Sequence, residues 1–346
     1  MLRVAVRMGL ASLLMLVSVL PVMAKSDQVF DTFTLYYEND FLAGTDRDYT
    51  NGLKLTWSTP YTADAPAANW PGWIYPLLER LPFVNDPAQQ RALSLSFGQE
   101  IYTPEDKKSV ELIVDDRPYA GMTYLAVGLQ SKSLRRQNTW ELNVGILGPA
   151  SLAEGTQKLI HKIVNGAQNP KGWEHQLGNE LTIDAVYETQ WKLGTPGFPR
   201  TFSSDLIPHL GARVGTVKIY ANAGGEFRFG WDLPEDFGNC AIRAGCVSSN
   251  GFEKRTADHA RRKKLGLHLF VAADGRLVLR DIFLDGNTFR DSHSVDSKLF
   301  VADLSSGISV RYGKAKATFS HIYRTKQFES QNNEQIFSSL SLSWRF

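Results

Sequence analysis

Ser339-Leu340-Ser341-Leu342-Ser343-Trp344-Arg345-Phe346 alternates between polar and apolar side chains up to its last residue. A period of two marks a β-strand, because successive side chains leave the pleated backbone on opposite faces. The same pattern recurs along the chain. Leu93, Leu95 and Phe97 alternate with Ser94, Ser96 and Gly98, and Trp140, Leu142, Val144 and Ile146 alternate with Glu141, Asn143 and Gly145. Leu181, Ile183, Ala185 and Tyr187 alternate with Thr182, Asp184 and Glu188. In a soluble sandwich the apolar set would face a core. In an outer-membrane barrel it faces lipid, and the polar set faces the lumen.

Three features favour the barrel. The segments run to about ten residues or more, enough to cross a bilayer at a tilt. Tyr36, Tyr37, Trp57, Tyr102, Tyr119, Tyr124, Trp191 and Trp231 cluster at segment ends, where interface girdles are expected. A strand closing on Phe346 resembles the C-terminal signature of bacterial outer-membrane barrels.

Thirteen alternating segments can be drawn, near 30–39, 51–59, 91–101, 121–131, 138–147, 180–192, 204–216, 218–230, 264–274, 276–284, 297–312, 315–327 and 334–346. Single-chain bacterial barrels have even strand numbers, so one boundary is false. Asp274-Gly275 reads as a hairpin turn or as a bulge within one long strand over 264–284. The second reading gives twelve. The expected fold is all-β: a transmembrane antiparallel up-and-down barrel with one short helix in an extracellular loop.

That helix follows Gly148-Pro149. Ser151 and Glu154 have capping-box spacing, and Leu152, Leu159, Ile160, Ile163 and Val164 recur at helical intervals before Asn165-Gly166. The spacing predicts a helix over 151–165, with Leu152, Leu159 and Ile163 packed on a wall. Gln157 and His161, four apart, share another face.

Arg3 and Arg7, an apolar run from Gly9 to Val22 and Val22-Met23-Ala24 read as a leader peptide over 1–24, leaving a barrel domain over 25–346. Removing Arg3 and Arg7 leaves 36 Lys+Arg against 36 Asp+Glu, so no basic excess points to nucleic acid. An exported chain meets an oxidising compartment, where the two cysteines, Cys240 and Cys246, would pair. A monomer is expected.

In an up-and-down barrel the connections between the first and second, third and fourth, and fifth and sixth strands lie at one end. The first carries Glu38-Asn39-Asp40 and Thr45-Asp46-Arg47-Asp48-Tyr49-Thr50-Asn51-Gly52. The second carries Lys107, Lys108, Asp115, Asp116, Arg117 and Tyr119, and the third carries Gln157 and His161. A histidine, carboxylates, carboxamides, a hydroxyl and lysines suit ester hydrolysis, with the histidine as base and amides or a cation facing the oxyanion. The same residues have plainer uses. His161 could be a surface or packing residue, Asp40 and Asp48 turn residues, Asn51-Gly52 a turn and Lys107-Lys108 a solvated pair. Gly-x-Ser-x-Gly, His-x-x-x-His and Cys-x-x-Cys are absent.

Glu38-Asn39-Asp40, Thr45-Asp46-Arg47-x-Tyr49-Thr50-Asn51-Gly52, Gly98-Gln99-x-Ile101-Tyr102-Thr103-Pro104, Asp116-Arg117-Pro118-Tyr119-Ala120-Gly121, Gln157-x-x-x-His161 and Gly172-Trp173 together resemble the outer-membrane lipid A 3′-O-deacylase family. The resemblance implies a twelve-stranded barrel in the bacterial outer membrane. Its calcium-dependent site lies between wall and helix and acts on lipid A of lipopolysaccharide. It implies His161 as general base, with Asn39, Asp40, Thr50 and Gln157 around it. Asp40 and Thr50 would be the metal-linked residues, and the site lysine would be Lys107 or Lys108. Phe41 stands where the family pattern has a second aspartate, and Asn165 or Gln168 where it has an acid after the histidine. The alternatives are a barrel hydrolase of another lipid ester, such as a phospholipid, and a non-enzymatic channel or structural barrel.

Overall fold

The computed structural model describes residues 29–40, 48–62, 76, 80–83, 86, 88–164, 170–194, 202–239, 242 and 265–346. The leader expected over 1–24 and the pair Cys240 and Cys246 lie outside them, as do Phe41, Asn165 and Gln168. Twelve strands form one closed antiparallel barrel. They are β1 (Thr32–Asn39), β2 (Asp48–Ser58), β3 (Gln90–Thr103), β4 (Ala120–Lys132), β5 (Arg136–Leu147) and β6 (Glu180–Trp191). β7 (Phe202–Gly215), β8 (Lys218–Trp231), β9 (Leu265–Asp281), β10 (Phe300–Tyr312), β11 (Ala315–Arg324) and β12 (Gln335–Arg345) complete it. Each strand pairs with its sequence neighbour, and β12 returns to β1 from Thr32↔Arg345 to Asn39↔Ser338. Closure leaves no edge with unpaired backbone groups, which hydrocarbon would penalise by several kcal/mol each.

The faces of the wall are those of an inside-out protein. Leu125, Ile183, Val214, Leu269 and Leu304 point outward and are exposed. Lys54, Asp184, Arg213, Arg228 and Arg311 point into the lumen and are buried. Among them Lys54 meets Glu141 at 3.5 Å, and Arg213 meets Asp184 at 2.6 Å. Apolar exposure on this scale, with charge inside, fits a wall solvated by lipid and excludes two packed sheets around an apolar core. The wall is that of a membrane-spanning barrel.

The segment expected over 264–284 is merged into a single strand, β9, which ends at Asp281 with 282–284 in a helical turn, but Gly275 is no bulge. It pairs regularly with Ala223 on one side and Ala302 on the other. The register instead slips opposite Ile219 and Tyr220, where Leu279 is the extra residue. The aromatic girdle also needs correction. Tyr36, Tyr102 and Tyr124 stand on lumen parity and are buried, while Tyr119 is buried in the β3–β4 connection. Clustering at segment ends locates an aromatic along the barrel, but parity decides which side it faces.

The helix α1 runs from Ala153 to Val164, two residues later than the capping box implied. Ser151 closes a preceding 3-10 turn, Pro149–Ser151, and its Oγ donates to the Gly148 carbonyl at 2.6 Å. With that hydroxyl engaged behind it, the helix starts after Leu152. The face of α1 is also inverted from expectation: Leu152 and Leu159 are exposed, 72% and 53%. Ala153, Gln157 and His161, at successive steps of four, are buried. In lipid an amphipathic helix turns its apolar side outward, so it lays its polar stripe on the wall. A second helical turn, α2 (Ile282–Asp285), follows β9.

Candidate active site on the outer wall

The connections β1–β2, β3–β4 and β5–β6 share one end of the barrel, as parity requires, and α1 belongs to the third. Its seat is on the outside. Ala153 packs with Ile101, Tyr119 and Trp173, and Ile101 shares the outward parity of Leu95 and Phe97. Gly121 permits the approach: a Cβ there would lie 2.0 Å from the Ala153 Cβ and 2.7 Å from Ser151 Oγ. One row below, Gln99 Nε2 and Thr123 Oγ1 each donate to the Ser151 carbonyl at 2.8 Å. These bonds clamp the start of α1 to β3 and β4.

One row of the sheet carries the polar residues. Ser338, Asn39, Asn51, Ile101 and Gly121 are consecutive register partners across β12, β1, β2, β3 and β4. Asn39 and Asn51 are thus neighbours on adjacent strands, both buried on the outward face. The expected Asn51-Gly52 turn is wrong, because both residues lie inside β2. The local irregularity is a bulge. Tyr49 pairs with Tyr102 and Asn51 with Ile101, leaving Thr50 as the inserted residue. It reverses parity, so Tyr49 packs in the lumen on Tyr102 and Phe337 while Asn51 faces out. Bulges of this kind are common beside active sites, where they re-aim a side chain. The side chain of Thr50 lies outside the described residues.

Asp40 follows β1 directly and is fully buried, within electrostatic reach of the Tyr37 phenol. Gln157 accepts from Trp173 Nε1 at 2.8 Å through Oε1. That bond fixes the amide, and Gln157 Nε2 is left as a buried donor with no partner. Asn51 Oδ1 is likewise a buried acceptor with no partner. Unmatched buried polar atoms also occur in the lumen, at Asn143 for example; what sets these two apart is their place on the lipid-facing side. Of the two lysines, Lys107 is buried and Lys108 exposed. The Lys107 carbonyl accepts from Lys171 N at 3.0 Å, and Leu177 N donates to the Tyr119 carbonyl at 2.9 Å, tying the β3–β4 connection to the segment after α1. The Tyr119 and Trp173 rings pack with centroids 5.2 Å apart and planes tilted by 52°, and burial pushes the Tyr119 phenol up to about 12, so it stays protonated at neutral pH.

His161, Gln157, Asn39, Asp40 and Lys107 are therefore all buried residues at one end of the barrel, with Lys108 left in solvent. Sequence reasoning passed over Asn51, Gln99, Thr123 and Trp173 as site residues. The first three, like Asn39, sit on the lipid-facing parity at the same end of β1 to β4, where an apolar residue is due. That displacement was the available signal.

Among solved structures, LpxR from Salmonella typhimurium superposes with a TM-score of 0.70 at 18% identity, covering 91% of this chain and 100% of that one. The β domain of the Bordetella autotransporter BrkA (TM-score 0.41, 8% identity, 92% of this chain and 99% of that one) is too distant to carry an argument. No curated protein sequence matches. A family described as "Outer membrane protein LpxR" matches residues 10–346. Fold, wall-mounted helix and this match agree: the chain belongs to the LpxR family, as an outer-membrane barrel hydrolase that acts on lipid.

Proposed function

We propose that the patch under α1 hydrolyses the 3′-linked acyloxyacyl ester of lipid A, with His161 as general base. The observation that carries the reading is the inverted helix: Ala153, Gln157 and His161 form its buried face, and Leu152 and Leu159 are left exposed at the membrane side. A substrate embedded in the outer leaflet reaches such a site without leaving lipid. Dimensions agree. His161 lies eight residues beyond Ala153, about 12 Å at the helical rise, and Asn39 lies three strands from Gly121, about 14 Å. A helix crossing the strands would bring the imidazole over Asn39 and Asn51.

His161 takes a proton from water as the water oxygen adds to the ester carbonyl, and returns it to the departing sugar oxygen. The unpaired Gln157 Nε2 is available to the oxyanion, and the buried Lys107 ammonium supplies positive charge nearby. Asn39 orients the ester beside Asn51.

Calcium suits the donors present. No cluster of three or more His, Cys, Asp or Glu side chains occurs among the described residues. Calcium, however, takes amide, hydroxyl and carbonyl oxygens as readily as carboxylates. Asn51 Oδ1 is a buried oxygen without a partner, close in register to the end of β1 that leads into Asp40. Asp40, Asn51 and Thr50 would hold the ion, which would polarise the ester carbonyl. The test is mass spectrometry of lipid A from cells with and without the protein. Loss of one acyloxyacyl mass is expected; an unchanged lipid A profile alongside shortened phospholipids would overturn the substrate assignment.

A further inference from the structure

The β8–β9 connection leaves the end of the barrel opposite α1, yet residues 232–239 and Ile242 lie in the lumen. Asp232 is bonded by Arg311 of β10. Asp236, fully buried, is bonded by Arg228 of β8 and by Lys316 of β11, the latter at 2.6 Å. The Asn239 backbone N–H meets both Glu226 carboxylate oxygens, at 3.2 and 3.0 Å, and its Oδ1 accepts from Thr318 at 3.3 Å. Ile242 N–H then donates to Glu38 Oε1, with its side chain against Tyr36. These contacts climb the wall from Lys316 to Thr318 and on to the row where Ser320, Ser339 and Glu38 are register partners.

Glu38 is the residue before Asn39 and Asp40. Neighbours on a strand face opposite sides, so holding the Glu38 carboxylate inside sets the rotation of the backbone that aims Asn39 outward. Ser339 and Tyr49 also hydrogen-bond that carboxylate. We propose that Asp232, Asp236, Asn239 and Ile242 form an internal strut that positions the catalytic end of β1 through the bond from Ile242 N–H to Glu38. The proposal rests on the reading of the outer-wall patch given above. It makes Glu38 and Ile242 positioning residues. β1 keeps its ladders to β2 and β12 without them, so the barrel should fold.

The test uses full-length protein and lipid A in calcium, with kcat and KM measured separately and heat-modified gel mobility as the folding control. Ile242→Pro removes the N–H. It should lower kcat about 10- to 100-fold, the scale of a small misplacement, with KM within about twofold. Glu38→Leu should fall equally, while Glu38→Gln, which keeps an acceptor oxygen, should stay within about threefold of wild type. The Glu38→Leu/Ile242→Pro double variant should be no worse than either single one, because one shared bond is lost. Wild-type kcat in Ile242→Pro, or losses that multiply in the double variant, would overturn the strut. If Ile242→Pro does not fold, the Leu and Gln variants of Glu38 decide, and equal kcat in those two would overturn it. His161→Ala, run in parallel, separates the claims. If it is inactive while Ile242→Pro is wild-type, only the strut falls; if it is active, the reading of the site falls.

Discussion

The two faces of the barrel wall use polar residues in opposite ways. In the lumen, charge is met by charge: Arg213 with Asp184, Arg228 with Asp205 and Asp236, Arg324 with Asp303. Such pairs balance a desolvation cost and hold the wall in register, and nothing in them calls for a substrate. On the outer face a polar residue is out of place, because its neighbours along the strand solvate themselves in lipid. Asn39, Asn51, Gln99 and Thr123 break that rule together, in two adjacent rows, beside a helix whose start is seated on β3 and β4. Asn51 and Gln157 keep polar atoms with no partner there. Polarity on the lumen side is therefore structural by default. Polarity on the lipid side is what calls for a functional reading.

Variants on the two faces should separate chemistry from stability. The largest expected loss is in His161→Ala, on the helix side of the patch. General-base removal typically costs about 10²- to 10⁴-fold in kcat, with the barrel still folded by gel mobility. A folded variant with wild-type turnover would return α1 to a packing role. Next is Gly121→Val. A β-branched residue suits a strand, so the barrel should survive, but its Cβ would overlap Ala153 and lift α1 off its seat. We expect a loss of about 100-fold in turnover, the scale of a small misplacement. Full activity would mean that the helix need not touch the wall.

Asn51→Leu should be milder. Leucine fits the lipid-facing parity, so folding should be unaffected, while kcat falls about tenfold, the cost of one hydrogen bond to a charged or developing charge. The calcium concentration for half-maximal rate should rise. An unchanged calcium titration would take Asn51 out of the metal site. The smallest effect on turnover belongs to the lumen. Arg213→Leu strands the Asp184 carboxylate and should cost about 3–5 kcal/mol of stability, seen as a lower unfolding temperature, with kcat per folded molecule unchanged. Equal damage to kcat there would erase the distinction between the two faces.

How far the sequence could be read follows the same division. Strand number, parity and the shared end at which the candidate residues gather were legible, because a period of two propagates rigidly through a closed sheet. The merged strand β9 came from the even-number rule. What failed was local. Ser151 and Glu154 have capping-box spacing, but the hydroxyl turns back to Gly148. Leu152 and Leu159 look like a core stripe because helical periodicity carries no sign: it locates a face without saying whether protein or lipid covers it. Asn51 looked like a turn residue because a bulge at Thr50 is invisible to alternation on either side of it. The lumen position of 232–239 was not legible at all, since its ion pairs join residues up to 80 positions apart.

The central claim is that water, activated on the outer wall, cleaves an ester of lipid A. The most direct measurement incubates purified protein with mixed vesicles of lipid A and phospholipid in heavy-oxygen water with calcium, and weighs the released acids. The account predicts acyloxyacyl acid from lipid A carrying one heavy oxygen in its carboxylate, with the phospholipids intact. Acid drawn from phospholipid, or an acyl group passed unlabelled to another lipid, would contradict it.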